Sequence, residues 1–369
     1  MKKSPKGALP SQILKHYVRS GDFKNIQEKQ ISPASIDITI SDEWYRVDGV
    51  FLPKTGETIR ELIKKMNGSR HLIQEPLEKG VVYVVRMNEA FNVPENIYGY
   101  CNPKSSTGRH DLHVRIVKDG VARYDTIPSS SGGELWAIIV PRSYPVLLHS
   151  GFAVSQVRFF YNDTRFNEHA LRREYKHSPL LYSLAGDVIE YEDLRMKDDD
   201  GSILLTLDLS GDTGTIVGYE CRGTNSVVDL NVPNGFLEPS THFIPVKKTG
   251  DTLLLRKDSF YILSTKEALR VPPHLASEMV DMDSRTGEFR THYAGFFDPG
   301  WGCNTDGSGK GRPITLEVRT FEDILVSDGQ PIGKVRFEVM SEIPEVHYDQ
   351  KNSNYLKQSG PRLAKQFKM

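Results

Sequence analysis

Hydrophobic residues in this chain recur mostly at every second position, in short runs. In SIDITI (35–40) isoleucine alternates with Ser, Asp and Thr, the period of a half-buried strand. VVYVVR (81–86), LWAIIV (135–140), QVRFF (156–160), TLLL (252–255) and KVRFEV (334–339) are likewise short and β-branched or aromatic, with Gly and Pro between them. Two segments follow the helical period instead. SQILKHYVRSG gathers Ile13, Leu14, Tyr17 and Val18 on one face, with Gly21 just past the end, and GETIRELIKKMNG does the same with Ile59, Leu62, Ile63 and Met66. Many short strands with few short helices predict a mainly β fold in sandwich or barrel layers.

The strand pattern repeats. GFAVSQVRFF from Gly151 overlays GQPIGKVRFE from Gly329, an offset of 178 residues. At the same offset LEKGVVYVVRMNEAFNVPENIYGY from Leu77 overlays LRKDSFYILSTKEALRVPPHLASE from Leu255, and Val93-Pro94 falls on Val271-Pro272. One spacing shared by separate stretches predicts two copies of one β-rich domain, divided as residues 1–180 and 181–369. An acidic, Gly-bearing connector (177–202) lies at the seam, and nothing there clearly repeats SPASID.

Composition narrows the function without choosing it. The chain has 369 residues, 38% hydrophobic and 26% charged, with a net charge of −1. It is neither an electrostatic magnet for nucleic acid nor long enough in any apolar run to span a membrane. Cys101, Cys221 and Cys303 are far apart with no CxxC pair, so neither a zinc ribbon nor a disulfide framework is expected. A cytoplasmic protein is the simplest expectation. The segment from Asn354 to Lys368 reads as a polar, basic, mobile tail.

The two copies differ where chemistry would reside. Copy one carries Lys104-Ser105-Ser106-Thr107-Gly108-Arg109, short polar residues and cations suited to an anion. Copy two has DMDSRTG (281–287) there, with two acids and no paired serines. Conversely, ITLEVRT (314–320) in copy two puts Glu317 in a strand whose Leu316 and Val318 point to the opposite face, where copy one has Ile139. On the inner face such a carboxylate would be desolvated and its pKa raised, which suits a general base; on the outer face it would simply meet water. Asp298, in the turn FFDPGWG (296–302), would bond a sugar hydroxyl or cap its own turn.

At these residues the sequence resembles the zinc-independent dCTP deaminases of the trimeric dUTPase-like superfamily. KSSTGR is similar to that family's RSSxxR phosphate loop, SPASIDITI to its GASxD strand, FDPGW followed by TLE to its DPGW…LE hairpin, and NYLKQSGP to its C-terminal KYxxQxGP lid. The chain is about twice the usual length, as in the bidomain form, and the resemblance implies two tandem dUTPase-like β-barrel or sandwich domains. It implies that Lys104, Ser105, Ser106 and Arg109 bind the triphosphate and Asp298 the deoxyribose 3′-hydroxyl. Thr315 and Leu316 would frame the base beside catalytic Glu317, and Tyr348 and Gln358 would come from the closing tail. Two departures stand out: the family's tail Lys is Asn354 here, leaving Lys351 or Lys357 to substitute, and CNTDGSGKG (303–311) is inserted in the hairpin.

The complementary losses predict a composite site, the loop of copy one against the hairpin of copy two, within or between chains. The implied reaction is deamination of dCTP to dUTP and ammonia. Zinc deaminases use H-x-E with P-C-x-x-C, a pattern the sequence lacks, so the resemblance implies no zinc and Mg²⁺ only with the triphosphate. The implied partner is the nucleotide, with no nucleic acid and no membrane, in a homo-oligomer. Two alternatives stand beside this: a bifunctional deaminase–dUTPase giving dUMP, and a non-catalytic nucleotide-binding regulatory protein. A nucleic-acid binder based on the basic tail is disfavoured by the net charge of −1.

Overall fold

The computed structural model describes residues 5–194, 200–283, 285, 287, 289–290, 293, 295–350 and 360–368. The first half builds six main strands: β1 (Ile36–Val47), β2 (Val82–Phe91), β3 (Tyr98–Pro103), β4 (Leu112–Val117), β5 (Glu134–Pro141) and β6 (Ala153–Phe160). They pair antiparallel in the order β4-β5-β2-β1-β6-β3. β1 changes partner along its length: residues 36–39 pair with β6, and the register breaks before Trp44, beyond which it follows β2. One strand thereby crosses from one layer to the other and closes the sheet around a core.

The second half has β7 (Ile203–Thr206), β8 (Ile216–Cys221), β9 (Phe243–Lys247), β10 (Phe260–Leu269), β11 (Leu275–Val280), β12 (Arg312–Thr320) and β13 (Pro331–Val339). Its crossing strand is split into β7, paired with β13, and β8, paired with β10, in two separate sheets. β10 is β2 shifted by 178 residues at both ends. The start of the second copy, blurred in the sequence, is clear in the register. Ile36 pairs with Val157 and Ile203 with Val335, so Ser202-Ile203-Leu204-Leu205-Thr206-Leu207 stands for SIDITI at an offset of 167. Buried hydrogen bonds repeat with it. Glu89 accepts from the main-chain N (2.7 Å) and hydroxyl (2.7 Å) of Thr39, and Glu267 does so from Thr206 (2.8 and 2.6 Å). The Tyr83 hydroxyl accepts from Glu78 N and that of Tyr261 from Arg256 N, both at 3.0 Å.

Helices are few and short. α1 (Ser11–Ser20) ends at Gly21, whose φ of 83° is the left-handed stop expected after it. α2 (Ile59–Lys65) begins with a reciprocal capping box between Thr58 and Glu61. α3 (Ser105–Gly108) is a single turn, and α4 (Glu168–Tyr175) precedes the seam and buries Leu171 and Tyr175 in the second core. Among the described residues no helix is long and apolar enough to cross a membrane.

The division of labour between the halves is incomplete. The first core also takes in Phe243, Phe260, Ile262, Leu363, Ala364 and Phe367 from the second half. Residues 360–368, expected as a mobile tail, are instead docked. Leu363, Ala364 and Phe367 are buried, and the main chain of Gln366 and Lys368 bonds Leu237. The apolar Leu, Ala and Phe of that segment outweigh its basic character.

Candidate active site

The alternation of β12 decides what reaches the cavity. Leu316 and Val318 are fully buried in the second core, while Thr315 and Glu317 face a cavity of about 730 Å³ between the halves. The same cavity is lined by Lys104, Ser105, Ser106 and Arg109 from copy one and by Asp298 and Tyr348 from copy two. Within one chain, the loop of the first copy therefore faces the hairpin of the second. Leu316 is the correction. Its side chain points away from the cavity because it alternates with two residues that face it, so only its main chain can border a ligand. Gln358 lies outside the described residues, as do Lys351, Asn354 and Lys357.

Glu317 is only 2% exposed and accepts a hydrogen bond from Tyr293 N at 2.8 Å. The Tyr293 hydroxyl donates at 2.7 Å to Asp111, just past the loop in copy one, and Arg319 closes an ion pair on the same carboxylate. Gly108 of α3 passes so near that a β-carbon there would lie 2.3 Å from Glu317 Oε2. In the loop, Arg109 donates from Nε to Ser105 Oγ (3.1 Å) and from Nη1 to Arg362 O (3.0 Å). Lys104 is paired with Asp37 of β1. Burial, and then the charge of Lys104 beside it, push the Lys365 ammonium below its usual range. A crowd of cations with one acid among them favours a polyanion.

The hairpin is braced from behind. Arg312 donates to both carboxylate oxygens of Asp349 at 2.7 Å, and Asp349 also accepts from Asn304 N at 2.7 Å. The inserted 303–311 segment thus ties the hairpin to the turn that carries Tyr348. Tyr348 packs against Trp301 with ring centroids 5.0 Å apart. Asp298 Oδ1 accepts from Arg158 Nη2 at 3.3 Å.

Several cavity residues carried no role in the sequence reading: Asp37, Lys365, and Asn231 and Asn234 from the second half. Asp37 lay in a quoted motif. Arg158, an arginine between Val157 and Phe159 in an otherwise apolar strand, was the overlooked signal for a buried ion pair.

Comparison with known proteins gives the family. The model of the 2′-deoxycytidine 5′-triphosphate deaminase N-terminal domain matches residues 5–163, and that of the C-terminal domain matches residues 168–367. A comparison with curated protein sequences gave no match. Among solved structures, the chain is similar to a 2′-deoxycytidine 5′-triphosphate deaminase from Agrobacterium tumefaciens. The TM-score is 0.81 and the identity 30%, over 93% of this chain and 100% of that one. Two domain matches in series on a mainly β fold lead to one conclusion: the chain belongs to the dCTP deaminase family, in its two-domain form.

Proposed function

We propose that the protein hydrolyses dCTP to dUTP and ammonia, without zinc, and that Glu317 is its catalytic residue. The observation that carries this is the position of Glu317, a buried carboxylate on the wall of a cavity whose other side is the cationic loop 104–109. In this reading Lys104, Ser105, Ser106 and Arg109 hold the triphosphate, which brings Mg²⁺ as its counter-ion. Asp298 takes the 3′-hydroxyl, Thr315 and the main chain of Leu316 frame the cytosine, and Tyr348 and Gln358 cover the site. Glu317 removes a proton from water as the water oxygen bonds to C4, and N3 takes up a proton as the C4–N3 double bond becomes single. Glu317 then carries the C4-hydroxyl proton to the amino nitrogen as C4=O forms and the C4–N bond breaks, releasing ammonia. The absence of an H-x-E and P-C-x-x-C pair from the sequence supports the zinc-free form. A cytoplasmic homo-oligomer is part of the same proposal, and light scattering on the purified chain reads the assembly.

The test is a chelator-treated assay with dCTP, re-supplied with Mg²⁺ only, following ammonia, dUTP, dUMP and pyrophosphate separately. Wild type is expected to release ammonia and dUTP, and Glu317→Gln to lower kcat by about 10²–10⁴-fold. Formation of dUMP and pyrophosphate would move the protein to the bifunctional class. Nucleotide binding without ammonia from wild type would leave a binding protein.

A further inference from the structure

Arg158 of β6 is fully buried where the two copies meet, and its guanidinium hydrogen-bonds to the second copy. Nη2 donates to Phe297 O (3.2 Å) and to Asp298 Oδ1 (3.3 Å). Nη1 donates to Glu338 Oε1 (3.0 Å) and to Ser277 O (3.2 Å). The guanidinium also lies over the Phe296 ring, 4.2 Å from its centroid. Three successive residues, 296–298, are thus held by one planar cation through a ring face, a carbonyl and a carboxylate, and Phe296, Phe297 and Asp298 all line the cavity. A guanidinium can hold such a set in fixed geometry because its donors form a rigid fork.

The duplication supplies an internal comparison. The counterpart of Arg158 at the 178-residue offset is Arg336. It donates instead to the main-chain carbonyls of Phe166 and Asp200 and is absent from the cavity lining. Both copies keep the arginine, and only the first aims it at the hairpin.

We propose that Arg158 is a positioning residue that orients Asp298 toward the 3′-hydroxyl of the substrate and so sets discrimination against 3′-deoxy nucleotides. This rests on the reading of the site as a dCTP deaminase. Without the arginine, Asp298 would still offer an acceptor, but in a broader distribution of geometries, and the hydroxyl would then add less to binding.

The test compares kcat/KM for dCTP and for 2′,3′-dideoxycytidine triphosphate in wild type, Arg158→Lys and Arg336→Lys. Wild type is expected to prefer dCTP at least tenfold. Arg158→Lys should bring the ratio toward unity, mainly through a higher KM for dCTP, and Arg336→Lys should keep the wild-type ratio. Should Arg158→Lys fold poorly, Arg158→Gln with Glu338→Gln removes the buried cation together with Glu338, its more buried acid partner, and should give the same collapse. A preserved ratio in a folded Arg158 variant would overturn the proposal, whatever happens to thermal stability. Ammonia release by wild type without preference for the 3′-hydroxyl would overturn it and leave the deaminase standing. No ammonia from wild type would remove the functional reading and this inference with it.

Discussion

At Gly108 the backbone of the cationic loop runs against the Glu317 carboxylate, with room for a hydrogen and none for a methyl group. The residue sits in α3 with ordinary helical neighbours and is not among the positive-φ glycines, so close approach, not backbone freedom, requires glycine here. Gly108→Ala should therefore keep the fold and displace Glu317. The expected result is a fall in kcat of about 10²-fold with an unchanged far-UV spectrum. Steady-state kinetics beside circular dichroism reads this, and full activity would show that the carboxylate has room to move. The placement of Glu317 was half legible in the sequence. Alternation with Leu316 and Val318 gave its face, but only the folded chain shows that the face meets the other copy. Arg158 and Asp298 are 140 residues apart, and no local pattern couples positions so distant.

Among the elements, the docked segment 360–368 departs furthest from expectation. Its Gln366 Oε1 lies 3.1 Å from His110 Nε2, while His110 Nδ1 lies 3.0 Å from the Tyr144 hydroxyl. Burial pulls the His110 pKa down to about 4 from 6.5, so the folded protein holds it neutral. The unfolded chain takes up a proton below 6.5 and the folded chain only below about 4. This contribution is therefore complete above pH 6.5 and is lost as pH falls toward 4, on the order of 3 kcal/mol in all. Burial raises Glu89 and Glu267, which act in the opposite direction on acidification. Comparing wild type with His110→Gln in urea between pH 7 and 4.5 isolates the histidine, and the variant should show the shallower loss on acidification. Equal slopes would refute the assignment. The strands and the first two helices could be read from periodicity because that signal is local. The docking of 360–368 could not, because its partner Leu237 is remote and its few apolar residues are set among cations.

For the whole molecule, the 178-residue repeat foretold two similar folds but not their mutual dependence. Side chains from the second half complete the first core, with Val228, Leu230, Phe243, Phe260, Ile262, Leu363 and Phe367 among them. Their removal would cost on the order of 10 kcal/mol, comparable with the entire stability of an ordinary domain. Residues 1–180 expressed alone should thus fail to fold, and the intact chain should melt in one calorimetric transition. Two resolved transitions, or a folded isolated half, would contradict this. The register also shows why the start of the second copy was hidden. Its offset changes from 167 at Thr206 to 178 at Phe260, so no single spacing spans it. Because the loop and the hairpin belong to one covalent strand of polypeptide, their meeting is an intramolecular event. Dilution cannot part them as it parts separately synthesised subunits, and each newly translated chain carries both halves of its own cavity.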